Sequence, residues 1–190
     1  MAAAELSQSA PARRLSPALR RSWPRACLAA WLSTLASALC VALAGGSAQA
    51  WIRRLLAARL DPALNPSPGL GDVLALVAHN LPIAAWPILL GVIGANRSAR
   101  GRIAADGLVG AALIANTAPV GAALAAYGPR LFPYIPQLPL EWAALTLGTS
   151  TWLMQRRRPL QLAEGIALFA LTAALVLIAA VLETVAVPHR

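Results

Sequence analysis

The segment LAEGIALFALTAALVLIAAVLETVAV, residues 162–187, decides the fold class. Between Glu164 and Glu183 it runs through eighteen residues without a charge. A helix needs about 20 predominantly apolar residues to cross a bilayer. The apolar residues are continuous rather than alternating, which argues against a barrel strand. Working outward, charges divide the rest of the chain into similar stretches. No charge lies between Arg25 and Arg53, between Asp72 and Arg97, or between Asp106 and Arg130. A shorter stretch begins near Leu138 and carries Glu141 near its start. The reading is an all-α polytopic transmembrane bundle of about five spans, at 26–48, 73–95, 107–127, 138–154 and 162–187.

Composition supports this. Hydrophobic residues make up 58% of the 190 and charged residues 12%, against roughly 25% charged in soluble domains. A globule of this size has too little polar surface to face water with such a sequence. The net charge is +9, from sixteen Arg, no Lys and seven acids. Anionic lipid attracts such a chain as readily as nucleic acid does. No nucleic-acid-binding pattern is present, and little soluble chain remains to build one, so nucleic acid is not an expected partner. Cys27 and Cys40 both fall in the first apolar stretch, lack metal-ligand spacing, and read as small buried hydrophobes.

Arginine placement sets the expected orientation. Eleven of the sixteen lie before the first span, between the second and third, or between the fourth and fifth. That side is expected to be cytoplasmic, with the N-terminus inside and the C-terminus outside. Residues 1–25, with Pro11, Pro17 and Pro24, read as a disordered basic tail, and 26–188 as a single transmembrane helical domain. Trp51 to Leu60 reads as a poorly amphipathic interfacial helix, with Arg59 inside its apolar arc. Asp61-Pro62 and the Pro66, Pro68, Gly69 cluster end it. A competing reading takes the basic start, the apolar run and Ala48-Gln49-Ala50 as a signal peptide. The run is long for a signal core and Trp51 follows at once, which favours an uncleaved first span.

Small residues recur at helical spacing: Ala118, Ala122 and Ala126; Ala111 and Ala115; Ala144 and Gly148; Ala163 and Ala167; Ala170 and Ala174. They are read as surfaces for helix packing within the bundle. Pro82, Pro87 and Pro119 are expected to kink their helices.

Ionisable and amide groups inside spans are candidates for function. His79 and Asn80 fall about 12 Å from the start of their span at 1.5 Å per residue. Glu141 and Glu183 each lie about one turn from the outer end of theirs, and Asn116 sits nearer mid-span. These five form the candidate intramembrane polar cluster, with His79, Asn80, Glu141 and Glu183 in the outer half. Four roles are open: structural glue, an ion- or proton-coupling site, a metal site of His79, Glu141 and Glu183, or catalysis. One intramembrane His without a paired-ligand motif is a poor basis for a metal, and no catalytic pattern is visible. No cofactor, metal or enzymatic activity is expected.

The same residues carry a family resemblance. His79-Asn80 is followed by Gly91-Val-Ile-Gly94; Asp106-Gly107 precedes the third span; Pro136-Gln-Leu-Pro-Leu-Glu141 opens the fourth; Ala179-Ala-Val-Leu-Glu183 and Pro188 close the fifth. In this order the chain resembles the stage II sporulation protein M-like family of small bacterial membrane proteins, from about Gly71 to Pro188. The family's Pro-His-Gly-x-x-Glu is altered here, with Gln137 and Leu138 replacing the His and Gly, and His79 stands for one Asn of its Asn-Asn pair. The resemblance implies a five-span, non-enzymatic protein of the bacterial inner (cytoplasmic) membrane. It implies a scaffold or accessory subunit whose partners are the lipid bilayer and other membrane proteins of an envelope-remodelling or export complex. The alternative is a small transporter or channel component using the outer-half carboxylates.

Overall fold

The computed structural model describes residues 16–57 and 69–186. Among these residues the structure is helical, with no strand. The helices are α1 (Pro17–Ala44), α2 (Gly46–Ala57), α3 (Leu70–Val92), α4 (Ala99–Tyr127), α5 (Leu138–Gln155) and α6 (Leu162–Ala186), with a 3₁₀ segment, Gly128–Tyr134, after α4. Local chemistry sets several ends. Ser16 accepts from the Leu19 N–H with Pro17 in the first turn, and Ser98 accepts from the Gly101 N–H at 2.9 Å. Past α3, the N–H of Ala95 bonds the Leu90 carbonyl at 3.0 Å. Gly94 permits that reversal because it adopts φ 79°.

Four helical stretches are long and apolar enough to cross a membrane: Pro17–Ala44, Leu70–Val92, Ala99–Pro133 and Leu162–Val185. The fifth expected span, α5, is not among them. It carries Thr146, Thr149, Ser150, Thr151 and Gln155, all buried. Nine consecutive residues, Ala144 to Trp152, are buried. With 3.6 residues per turn, such a run leaves no face open. α5 is enclosed by α1, α3 and α6, with α4 touching it more lightly. Its neighbours, and not lipid, are its solvent.

Close backbone approach builds this arrangement. The most extensive pairing is α1 with α4. There Gly121 faces the Thr34 carbonyl so closely that a Cβ would overlap it. Gly148 meets the Ala84 carbonyl of α3 in the same way. Thr34 bridges the first contact, donating to the carbonyl of Thr117 at 3.1 Å. Trp23 Nε1 donates to Thr146 Oγ1 at 3.1 Å and to the Ala143 carbonyl at 3.2 Å, joining α1 to α5. Trp31 packs edge-on against Trp142.

Several expectations need correction. α1 begins at Pro17, so residues 17–25 are helical, and Leu19 is 1% exposed inside the core. The expected tail therefore extends no further than residue 16, and residues 1–15 lie outside the described residues. Buried Leu19, with Ser16 reaching Met154 Sδ at 3.1 Å, explains the extra turns. α4 starts at Ala99 rather than Gly107. The interfacial stretch is helical to Ala57 within α2, and 58–68, with Arg59 and the proline cluster, lies outside the described residues. Ala48-Gln49-Ala50 sits inside α2. Cys27 is half-buried against Thr146, but Cys40 is exposed. Ala122, Ala126, Ala144 and Gly148 are buried in helix contacts, while Ala111, Ala115, Ala163, Ala167, Ala170 and Ala174 face outward.

Candidate functional site

The polar candidates sort onto two cavities that share Glu141. The smaller, about 80 Å³, lies between α3, α4, α5 and α6. Asn80 of α3, Asn116 of α4 and Glu141 of α5 line it, with Trp142 and Val176. Three polar side chains face an otherwise largely apolar wall, and the volume has room for water. Asn116 donates to the Ala112 carbonyl of its own helix at 2.7 Å. Neither the Asn80 nor the Glu141 side chain has a hydrogen-bond partner among the described residues.

The larger cavity, about 300 Å³, opens beside the 3₁₀ segment and the start of α5. Glu141, Glu183 and Gln137 line it, against apolar walls that include Pro119, Leu124 and Ile135. The two carboxylates thus come from the start of α5 and the end of α6 onto one space. Gln137 is 3% exposed, and its Oε1 has no hydrogen-bond partner among the described residues. Two carboxylates with amide oxygens around space for water form a donor set suited to a proton or a cation. No nucleophile stands beside a base here.

His79 lies on the exposed face of α3 and lines neither cavity. The ligand set His79, Glu141 and Glu183 is therefore not assembled, and no group of three potential metal ligands converges among the described residues. His79 and Asn80 are adjacent, about 100° apart on a helix, so only one of them turns inward.

Gly91, Gly94 and Asp106 belong to the other end of α5. The N–H of Gly91 donates to Gln155 Oε1 at 3.2 Å, and a Cβ at Gly91 would overlap the Gln155 amide. Gln155 Nε2 donates to the Ile88 carbonyl at 2.8 Å, and Asn96 Nδ2 to the Gln155 carbonyl at 2.9 Å. Gly94 makes the turn that follows. Asp106 accepts from Trp152 Nε1 at 2.8 Å and pairs with Arg156 at 3.2 Å. Gly107 faces open space, Pro136 is exposed before α5, and Pro188 lies outside the described residues.

Sequence reasoning passed over Gln137 and Gln155. Gln137 stands where the resembled family has its motif His, which was a usable signal. Gln155 ends an apolar run beside three arginines, and nothing local distinguishes it from a solvated residue.

Helices of this length and apolarity define the class: a membrane-embedded, all-helical protein. Comparisons with protein-family models, curated proteins and solved structures find no match to this chain.

Proposed function

We propose that this chain is a non-enzymatic scaffold or accessory subunit of an envelope-remodelling or export complex in the bacterial cytoplasmic membrane, akin to the stage II sporulation protein M-like family. In this reading α5 is the fifth span, with the N-terminus cytoplasmic and the C-terminus external. One observation carries it: most buried polar side chains of the bundle are satisfied internally, either across a helix contact or on a carbonyl of their own helix. Thr34, Trp23, Asn96 and Gln155 each reach a neighbouring helix or its connection, and Thr149, Thr151 and Thr172 bond carbonyls of their own helices. Such internal satisfaction makes a rigid body whose outer faces are left for partners. The described connections, 93–98 and 156–161, are too short for a soluble domain. The motif order from His79-Asn80 to Glu183 supports the family likeness.

A second reading, a small transporter or channel component, has its own support. Glu141 and Glu183 share a cavity and have no hydrogen bond or ion pair among the described residues. Reconstitution decides between the two. Under the scaffold reading, proteoliposomes pass protons and alkali cations no faster than empty vesicles, and mild-detergent purification from native membranes brings a stoichiometric membrane partner. That partner remains with Glu141→Gln. Flux that both Glu141→Gln and Glu183→Gln abolish at normal folded yield overturns the scaffold reading.

A further inference from the structure

At the opposite end of the bundle from Glu141, the start of α1, the start of α4 and the end of α5 enclose a cavity of about 430 Å³. Arg21, Ser22 and Arg25 of α1, Arg102 of α4, and Arg156 and Arg157 after α5 line it. Five guanidinium groups from three separate stretches of chain thus converge on one space. Local carboxylates neutralise little of this. Asp106 pairs with Arg156 and is shared with Trp152. Glu164 is taken by Arg158, at 2.6 and 2.9 Å, and that bond raises the Arg158 pKa further. The guanidinium groups of Arg21, Arg25 and Arg157 have no partner among the described residues. Arg102 donates to the Asn96 carbonyl at 3.1 Å, which orients it.

Like charges gathered around one space repel, and an anion relieves that repulsion. Guanidinium prefers phosphate, which it grips with two parallel hydrogen bonds. The surroundings identify the source of that phosphate. The cavity base is apolar, with Leu153 and Met154. Beside the arginines, the outer surface turns apolar at once: Leu28, three residues past Arg25, is 59% exposed, and Ile103, next to Arg102, is 72% exposed. A cavity lined by arginines, with exposed aliphatic side chains close by on the same helices, matches a phospholipid, with the headgroup in the cavity and chains along the helices.

We propose that this cavity is a binding site for the phosphate headgroup of an anionic phospholipid, held by Arg21, Arg25, Arg102 and Arg157. The proposal rests on the reading that these helices lie in a bilayer, and it is independent of the scaffold role. A bare topological surplus of charge would make every arginine on this face equivalent. The cavity makes them unequal, because Arg97 and Arg100 lie on the same face but do not line it.

The test uses the full chain, delipidated in uncharged detergent, with binding read by native mass spectrometry and thermal stability. The probes are phosphatidylglycerol, diphosphatidylglycerol, phosphatidylcholine and inorganic pyrophosphate. The anionic lipids should bind and raise the melting temperature, and phosphatidylcholine should not. Replacing two bidentate contacts in Arg25→Gln/Arg157→Gln should weaken anionic lipid binding at least ~10-fold. Arg97→Gln/Arg100→Gln removes the same charge and should stay within about twofold, as expected for screened surface charge. Arg25→Lys/Arg157→Lys keeps charge and fold and should fall between them. Equal losses in the two Gln doubles, or no preference for anionic headgroups, overturn the proposal. Pyrophosphate binding as tightly as lipid, with the same arginine dependence, overturns the lipid assignment in favour of a soluble phosphate. Carbonate-resistant insertion into phosphatidylcholine vesicles tests membrane embedding separately, so failure of that premise is distinguishable.

Discussion

Gly148 shows how little room the bundle leaves. Its missing side chain is where the Ala84 carbonyl of α3 approaches α5, and backbone cannot step aside as a side chain can. Gly91 is also crowded, but by the end of the Gln155 side chain, which yields only by giving up its bonds to α3. Gly107 meets nothing. Three outcomes follow for the same kind of change. Gly148→Val should lower stability by about 1–3 kcal/mol, the usual cost of overpacking. Gly91→Ala should cost about 0.6–2 kcal/mol, the range for the Gln155 bonds it displaces, and Gly107→Ala should be neutral or slightly stabilising, since Ala outranks Gly in an exposed helix position. Unfolding of the purified variants in mixed micelles gives the three values. A Gly148→Val variant as stable as the parent would show that α3 and α5 do not touch there. At the same scale, whether His79 or Asn80 faces the cavity could not be read from their spacing. Each is plausible until α3 is packed against α5.

At the scale of the element, α5 is the helix whose character changed most between sequence and structure. Its run of hydroxyl residues lowers its hydropathy, yet it is the most enclosed helix of the bundle. The hydroxyls of Thr149 and Thr151 bond carbonyls one turn back, at 3.0 and 2.8 Å, which makes them tolerable away from water. Gln155 does more, since it ties α5 to α3 through two side-chain bonds. Gln155→Met keeps volume and removes both, and should cost about 0.6–2 kcal/mol, the range for hydrogen bonds between membrane helices. Ser150 is the internal control. Its Oγ is buried without a hydrogen-bond partner, so Ser150→Ala should be neutral or stabilising. Thermal denaturation of both variants in one detergent tests the contrast. A larger loss for Ser150→Ala than for Gln155→Met would refute this account of α5.

For the whole molecule, charge and polarity divide the bundle by its ends. Arg21, Arg25, Arg102, Arg156 and Arg157 surround one end of the packed helices, while Glu141, Glu183 and Gln137 gather toward the other. The positive end is the one that the arginine bias assigns to the cytoplasm. A reporter fused after Met154 should therefore read cytoplasmic, and one fused after Arg190 external. An internal C-terminus would sink the five-span orientation. The same separation allows the two cavities to be tested independently. Lines through residues more than about 7–10 Å apart usually add in their effects, so Glu141→Gln should leave anionic lipid binding unchanged.

The sequence by itself determined that the chain is helical and membrane-embedded, because long uncharged apolar runs have no other stable home. It also marked which residues are polar where polarity is expensive, and it supplied the arginine asymmetry. These are properties of composition and order along one dimension. Only the tertiary structure decided which helix sits in the middle, because the hydroxyl run sets α5 apart without saying which neighbours enclose it. Packing likewise placed Asn80 and Asn116 on a cavity with Glu141 and turned His79 away. It drew Leu19 into the core, so that α1 starts at Pro17 within the stretch that reads locally as a basic tail. Five arginines distant in the chain became one cavity for the same reason. Each of these outcomes depends on which face of a helix meets another. That choice is set by close contacts such as Gly121 with Thr34 and Gly148 with Ala84, which no single segment contains.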